Sequence, residues 1–85
     1  MITVKRFTAA WCGPCKQLAP LIGQIQSEVS GVDFQTIDVD ASPDIALKYN
    51  VSSIPTLVFE KNGQEVKRTL GMQTKSTLIS IINSL

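Results

Sequence analysis

The sequence predicts an α/β fold with the element order β-α-β-α-β-β-α, in which a four-stranded mixed sheet carries helices on both faces. Short strand-like segments alternate with segments whose apolar residues recur at helical spacing. Strands that are separated by helices pair in parallel through right-handed crossovers. Asn62-Gly63, between the last two strand-like segments, is typical of a β-hairpin and adds an antiparallel strand.

The chain begins with a strand and a long helix. Ile2 and Val4 alternate with polar neighbours up to Phe7, which indicates the first strand. The helix that follows ends before Gly31 and contains Pro20, where we expect a kink. Its apolar stripe consists of Leu18, Leu21, Ile22, Ile25 and Val29.

The second strand is expected from Val32 to Val39. Its apolar positions change parity along the strand, because Val32 and Phe34 are followed by Ile37 and Val39. Such a change indicates either a bulge or burial on both faces.

A short second helix is expected next. Ser42 offers a capping hydroxyl, Pro43 suits the first helical position, and Asp44 places an acid near the positive end of the helix. We expect this helix to end near Asn50, before a loop from 51 to 55.

The last third contains the hairpin and a final helix. The third strand is expected from Thr56 to Phe59, and the fourth includes Val66 and Leu70. After Gly71, Thr74 can cap the last helix. Its apolar stripe consists of Leu78, Ile81, Ile82 and Leu85.

Length and composition limit what the chain can be. Its 85 residues are expected to form one domain, residues 1–85. The composition, with 44% hydrophobic and 18% charged residues, is typical of a globular protein. The net charge of +1 favours neither nucleic acid nor an anionic membrane as a partner. No apolar run approaches a membrane span, and no secretory leader is recognisable, so we expect a cytoplasmic protein. The absence of histidine excludes Ser-His and Cys-His catalysis.

The only two cysteines, Cys12 and Cys15, are three positions apart at the start of the first helix. This spacing places them on one helix face, within the range of Cα separations that a disulfide requires. Unpaired N–H groups at a helix N-terminus favour a thiolate, which is the reactive form of cysteine. The nearby charges also favour a thiolate, because the only charged residues before Glu28 are cationic. They are Lys5, Arg6 and Lys16.

Two other interpretations of the cysteine pair are weaker. A metal site would need two such pairs or added histidines, so we expect no metal. An inert disulfide between near neighbours would close almost no loop. In a reducing compartment the pair therefore indicates redox chemistry.

The cysteine pair stands within Trp11-Cys12-Gly13-Pro14-Cys15-Lys16, and the chain also contains Pro20, Ile54-Pro55-Thr56, Lys61-Asn62-Gly63 and Gly71. On these motifs the chain resembles the thioredoxin family over nearly all of its length. It looks like a short member that lacks the usual N-terminal strand and helix.

The resemblance implies a protein-disulfide reductase. Cys12 would attack a substrate disulfide and Cys15 would resolve the mixed disulfide. Pro55 would be the family's cis-proline, and a surface for the substrate would surround it. That surface would comprise Trp11, Gly13, Pro14, Ile54, Gly71 and Met72. The implied partners are disulfide-containing proteins and an external reductase, the protein would be a monomer, and no bound cofactor is expected.

Two positions depart from the family. Arg6 stands where the family usually has a buried aspartate that moves protons, and Thr36 appears at the position of its lysine partner. Arg6 and Lys16 would instead favour the thiolate if they point toward the pair, whereas a solvated, edge-facing Arg6 would not. The proton of Cys15 would then pass to water or to the leaving sulfur.

Two alternatives remain. A glutathione-coupled glutaredoxin would suit the size, but the stretch from Leu70 to Thr74 has one glycine and no acid where glutaredoxins bind glutathione. A non-catalytic binding module would leave the cysteines incidental.

Overall fold

A computed structural model describes all 85 residues and contains four strands and three helices in the predicted order. The strands and helices are β1 (Ile2–Thr8), α1 (Gly13–Glu28), β2 (Val32–Asp38), α2 (Pro43–Lys48), β3 (Thr56–Lys61), β4 (Gln64–Leu70) and α3 (Lys75–Ser84). The predicted fold class is confirmed.

The sheet order is β2-β1-β3-β4, so β1 is an interior strand. It pairs in parallel with β2, with Thr8 opposite Asp38, and antiparallel to β3, with Phe7 opposite Thr56. The carboxyl ends of β1 and β2 and the beginning of β3 therefore meet at one edge of the sheet. Segments that follow or precede these strands are brought together there.

Alternation along β1 distributes the core over both faces of the sheet. Val4 joins the larger cluster beneath α1 and α3, whereas Phe7 packs with Ala46 of α2 and with Val58. The larger cluster contains Val4, Leu18, Ile22, Ile25, Leu57, Phe59, Leu78 and Ile82.

The change of parity in β2 is explained by burial on both faces. The register between β1 and β2 runs without a shift from Val32 to Asp38. Phe34 packs against the α1 and α3 side, and Ile37 packs against the α2 side. The one irregularity in the sheet lies between Phe59 and Glu60, in the pairing of β3 with β4.

The capping role expected for the Ser42 hydroxyl is wrong. The Ser42 side chain makes no capping hydrogen bond, and its backbone (φ −131°, ψ 63°) departs from the extended conformation usual at this position. The carbonyl of Ser42 instead accepts from the N–H groups of Ile45 and Ala46. The helix also ends earlier than expected, at Lys48.

The hairpin and the last helix begin as the sequence predicts. Asn62 (φ 54°) and Gly63 (φ 84°) both have positive φ, as a type I′ hairpin turn requires. The Thr74 hydroxyl accepts a hydrogen bond of 3.1 Å from the N–H of Thr77.

A polar network lies on the α2 side of the sheet. Lys5 Nζ donates to the Tyr49 hydroxyl at 2.6 Å, and that hydroxyl donates to Glu60 Oε2 at 2.8 Å. Lys5 Nζ also lies 3.1 Å from Glu60 Oε1, and the two side chains are only 19% and 9% exposed. The hydrogen bond to Tyr49, with help from Glu60 and against the effect of burial, raises the pKa of Lys5.

We expect Glu60→Ala to destabilise the protein by about 2–3 kcal/mol, because it leaves the cation of Lys5 without its carboxylate. This loss is smaller than the cost of breaking a fully buried ion pair, because Lys5 keeps some contact with solvent. The matched control is Glu65→Ala, which breaks the more exposed pair with Arg68 and should cost about 0.2–1 kcal/mol. Urea unfolding at neutral pH measures both. Equal losses would contradict a structural role for the Lys5–Glu60 pair.

The same network predicts a pH dependence. The pKa of Lys5 is raised in the folded state. The contribution of Lys5 to the free energy of unfolding is therefore fully present below pH 10.5, the ordinary pKa of lysine. It is lost as the pH rises through the raised value. Wild-type stability should therefore fall in this alkaline range more steeply than that of Glu60→Ala.

Candidate active site

The two cysteines lie where the loop after β1 turns into α1. Cys12 is the N-cap residue of α1 and Cys15 lies in its first turn. The two form a disulfide, with their Cα atoms 5.3 Å apart. The backbone N–H of Cys15 donates to Cys12 Sγ at 3.2 Å, so one of the unpaired donors of the helix end points at this sulfur. The local chain geometry thus provides both the disulfide and a donor for a charged Cys12 sulfur.

Both cysteines are buried in the disulfide form. Cys12 is 4% exposed and Cys15 is 1% exposed, so the two cysteines differ little in accessibility in this state. They form a cluster with Ala9, against which Val39 and Ile54 pack. The disulfide is therefore packed against the segment that follows β2 and against the loop before β3.

A cavity of about 280 Å³ adjoins Cys15 on the α1 side of the sheet, and we call it the Cys15 cavity. Three charged residues from three different elements line it: Arg6 of β1, Lys16 of α1 and Asp38 of β2. Its other lining residues are Thr8, Ala9, Ala10, Cys15 and Ala19. The resolving cysteine expected from the sequence therefore lines this cavity together with two cations and one carboxylate.

Arg6 is half-buried on the interior strand and is not a solvated edge residue. Its Nη2 donates to Thr36 Oγ1 at 3.3 Å, and its Nε is buried without a hydrogen-bond partner. Burial lowers the pKa of Arg6 from its ordinary value, although a guanidinium remains charged at physiological pH. The Cys15 cavity thus contains a partly dehydrated cation with a free donor.

The loop before β3 also borders the cysteines, because Ile54 packs against them. Pro55 is fully buried, and the Ile54–Pro55 peptide bond is cis, as the resemblance implied. The carbonyl of Pro55 accepts a hydrogen bond of 2.8 Å from the N–H of Gly71, which has a positive φ of 77°. Gly71 is thus held against the loop, and Met72 beyond it is 42% exposed.

Trp11 projects from the rim of the site and is 68% exposed. Its Nε1 donates to Asp40 Oδ2 at 2.8 Å, which ties the indole to the segment after β2. Beside it lies a mainly apolar cavity of about 280 Å³, the Trp11 pocket. The lining residues are Trp11, Val39, Ala46, Val51, Ser52, Ser53 and Ile54. Gly13 and Pro14 are exposed on the helix side.

The sequence did not single out Val39, Asp38 or Asp40 as site residues. Val39 packs on the cysteines, Asp40 holds Trp11, and Asp38 lines the Cys15 cavity. The available signal was topological, because the carboxyl ends of neighbouring parallel strands meet at the same edge of a sheet. The residues at the end of β2 therefore lie beside the loop that follows β1.

The fold and this site together define a thiol-disulfide oxidoreductase, with a disulfide at the start of a helix beside a cis-proline loop. The chain belongs to the thioredoxin family, since the family model described as Thioredoxin matches residues 1–84.

Curated relatives and solved structures agree with this assignment. A thioredoxin of Chlamydia trachomatis is 46% identical over 77 residues, which cover 91% of this chain and 76% of the relative. A Staphylococcus aureus thioredoxin is 42% identical over 78 residues, with 91% and 75% covered. Oxidised mitochondrial thioredoxin 3 of Saccharomyces cerevisiae superposes with a TM-score of 0.91 at 37% identity, over 99% of this chain and 78% of the yeast chain. The Cys12–Cys15 disulfide is the redox-active pair of this chain, and such proteins act on disulfide substrates.

None of the helices is both long enough and apolar enough to cross a membrane.

We expect Asp40→Ala to release Trp11, because the indole then loses its side-chain hydrogen-bond acceptor. Trp11 is the only tryptophan, so its steady-state fluorescence anisotropy should fall. The hydrogen bond that orients the indole contributes about 1 kcal/mol, and its loss should raise the KM for a protein disulfide about fivefold. Asp33→Ala removes an equal charge from the exposed part of β2 and serves as the control. Unchanged anisotropy in Asp40→Ala would show that the hydrogen bond does not hold the ring in solution.

Proposed function

We propose that this protein reduces disulfides of other proteins, with Cys12 as the attacking sulfur and Cys15 as the resolving sulfur. The observation that carries these roles is the hydrogen bond of 3.2 Å from the Cys15 N–H to Cys12 Sγ. A donor at the positive end of a helix stabilises a thiolate at Cys12 and gives nothing comparable to Cys15.

The reaction has two exchange steps. The Cys12 thiolate attacks one sulfur of the substrate disulfide, forms a mixed disulfide and releases the other substrate sulfur as a thiolate. Cys15, after losing its proton, attacks Cys12 Sγ, closes the Cys12–Cys15 bond and releases the second substrate thiolate. The substrate gains two electrons and the protein pair loses two.

The substrate lies across the rim between Trp11 and the Ile54–Pro55 loop. We propose that an extended segment follows this loop by backbone hydrogen bonding at Ile54. An apolar side chain of the substrate would occupy the Trp11 pocket, whose lining is mainly hydrophobic. The exposed surfaces of Gly13, Pro14 and Met72, with Gly71 behind them, complete the groove.

The oxidised protein requires an external reductase to begin another cycle. We propose a thioredoxin reductase-like partner, a monomeric state and a cytoplasmic role in electron transport and redox homeostasis. Membership of the family supports a reductase as the recycling partner. The net charge of only +1 favours proteins over nucleic acid or anionic membranes as partners.

Arg6 and Lys16 would favour the ionised thiols. Both line the cavity at Cys15, and both carry positive charge. An opposite charge within about 4–6 Å stabilises an ionised group. Arg6 is the stronger candidate because it is half-buried, whereas Lys16 is exposed and more strongly screened.

Comparing two assays tests the substrate class. Insulin-disulfide reduction coupled to a thioredoxin reductase should exceed glutathione-dependent reduction of hydroxyethyl disulfide. The reverse ranking would favour a glutaredoxin function. Full biological activity of the Cys12→Ser, Cys15→Ser double variant would favour a binding module.

We expect iodoacetamide to modify Cys12 of the reduced protein well before Cys15, because only Cys12 receives the helix N–H donor in this geometry. Mass spectrometry after a brief pulse at neutral pH assigns the site. Cys15→Ser should accumulate a mixed disulfide with substrate, and the matched variant Cys12→Ser should not. Equal labelling of both sulfurs, or trapping through Cys15, would contradict the assigned roles.

We expect Arg6→Ala to raise the midpoint pH of thiol alkylation by about a few tenths to one unit, since it removes a nearby positive charge. Lys67→Ala removes an equal charge from exposed β4 and is the control. Alkylation rate against pH measures both. A midpoint that moves equally in the two variants would leave Arg6 with no local effect on the pair.

A further inference from the structure

The Cys15 cavity contains one carboxylate, that of Asp38. In the parallel register Asp38 lies opposite Thr8, two positions beyond the Arg6–Thr36 pair, so all four side chains are on the α1 side of the sheet. Asp38 and Cys15 line the same cavity although they come from different elements. A proton acceptor is thereby placed near the sulfur that must lose a proton.

Each side of this cavity has a polar atom without a protein partner. Asp38 Oδ1 accepts from the N–H groups of Asp40 at 2.8 Å and Ala41 at 3.3 Å, whereas Oδ2 receives no protein donor. Arg6 Nε is buried and has no acceptor. A buried donor and a free acceptor beside about 280 Å³ of space that is open to solvent allow water to complete their hydrogen bonds.

We propose that Asp38 accepts the proton of Cys15, through water in the Cys15 cavity, during the second exchange step. The inference rests on the proposed roles of Cys12 and Cys15. The S–H bond of Cys15 breaks as its proton passes through water to the Asp38 carboxylate. The sulfur of Cys15 then forms its bond to Cys12 Sγ, and the bond from Cys12 to the substrate sulfur breaks. The departing substrate thiolate takes a proton from solvent or from Asp38, which restores the carboxylate.

The other ionisable groups around the cavity cannot take this role. Arg6 from β1 and Lys16 from α1 are cationic donors that offer no acceptor. Asp40, which follows β2, is bound to the Trp11 indole at the outer rim. The chain has no histidine. This assignment differs from the sequence-based expectation that the proton passes to water alone or to the leaving sulfur.

The test isolates the second exchange step. Reduced protein is mixed with excess 5,5′-dithiobis(2-nitrobenzoic acid), and release of thionitrobenzoate is followed by stopped flow. The first release reports attack by Cys12 and depends on reagent concentration. The second reports attack by Cys15 on the mixed disulfide and is first order.

The matched variants are Asp38→Asn, which keeps an oxygen for the N–H groups of Asp40 and Ala41 but is a poor base, and Asp38→Glu, which keeps a base. We expect Asp38→Asn to slow the second phase about tenfold at neutral pH and to change the first by less than about twofold. Its second-phase rate should also rise more steeply with pH than that of wild type, because only hydroxide then removes the proton. Asp38→Glu should recover most of the rate, and Asp33→Asn should match wild type in both phases.

The outcomes separate this inference from the proposed function. A second phase in Asp38→Asn within about twofold of wild type at every pH would overturn the role of Asp38, with the roles of the cysteines intact. Equal slowing in Asp38→Asn and Asp38→Glu would also overturn it, because a role in the turn alone predicts that result. If wild type shows no second phase and does not reduce insulin, the proposed function fails, and this inference fails with it.

Discussion

Strand β1 pairs in parallel with β2 on one side and antiparallel with β3 on the other, which brings three chain segments to one edge of the sheet. The cysteines follow β1, Asp38 ends β2 with Asp40 just beyond it, and the cis-proline loop precedes β3. Each of these segments is short, and the segments after β2 and before β3 pack against the cysteines. Their relative positions therefore depend on the register of a strand whose backbone groups are paired on both sides.

Two adjacent residues of β1 show that the two faces of the sheet offer different partners to a positive charge. Lys5 points to the α2 side, where Glu60 and Tyr49 satisfy it. Arg6 points to the α1 side, where it has the hydroxyl of Thr36 but no carboxylate within ion-pair distance. A paired internal charge is a structural arrangement, whereas an unpaired and dehydrated one is more typical of a functional site. The difference lies in the partners each face supplies, not in the residues themselves.

Much of the fold could be predicted because its determinants are local. Apolar periodicity located most of the strands and helices, Pro43 and Asp44 indicated the start of α2, and the Asn62-Gly63 turn fixed the hairpin. The Ser42 cap could not be predicted in the same way. Its side chain is a capable acceptor, but the backbone at this position has left the extended conformation from which a hydroxyl reaches the helix N–H groups.

The site was predictable in proportion to how local its chemistry is. Cys12 and Cys15 share one helical turn, so their spacing alone brings the sulfurs together. Asp38 and Asp40 are more than twenty residues away in sequence, and only the parallel pairing of β1 with β2 brings them to the cysteines. Spacing could not have indicated that Asp40 binds the Trp11 indole or that Asp38 borders Cys15.

The charges around Cys15 also bear on the balance between the two redox states. With the disulfide closed, the Cys15 cavity is lined by two cations, Arg6 and Lys16, and one anion, Asp38. On the roles proposed above, reduction creates a thiolate at Cys12, and the net charge of +1 around the neighbouring Cys15 would stabilise it. An aspartate in place of Arg6 would instead give the cavity two carboxylates and one lysine. Because stabilising the reduced form of a dithiol makes its disulfide a stronger oxidant, the cation at position 6 would on these roles favour the reduced state of the protein. The same cation leaves position 6 of β1 without a proton acceptor, and the end of β2 supplies a carboxylate in the same cavity.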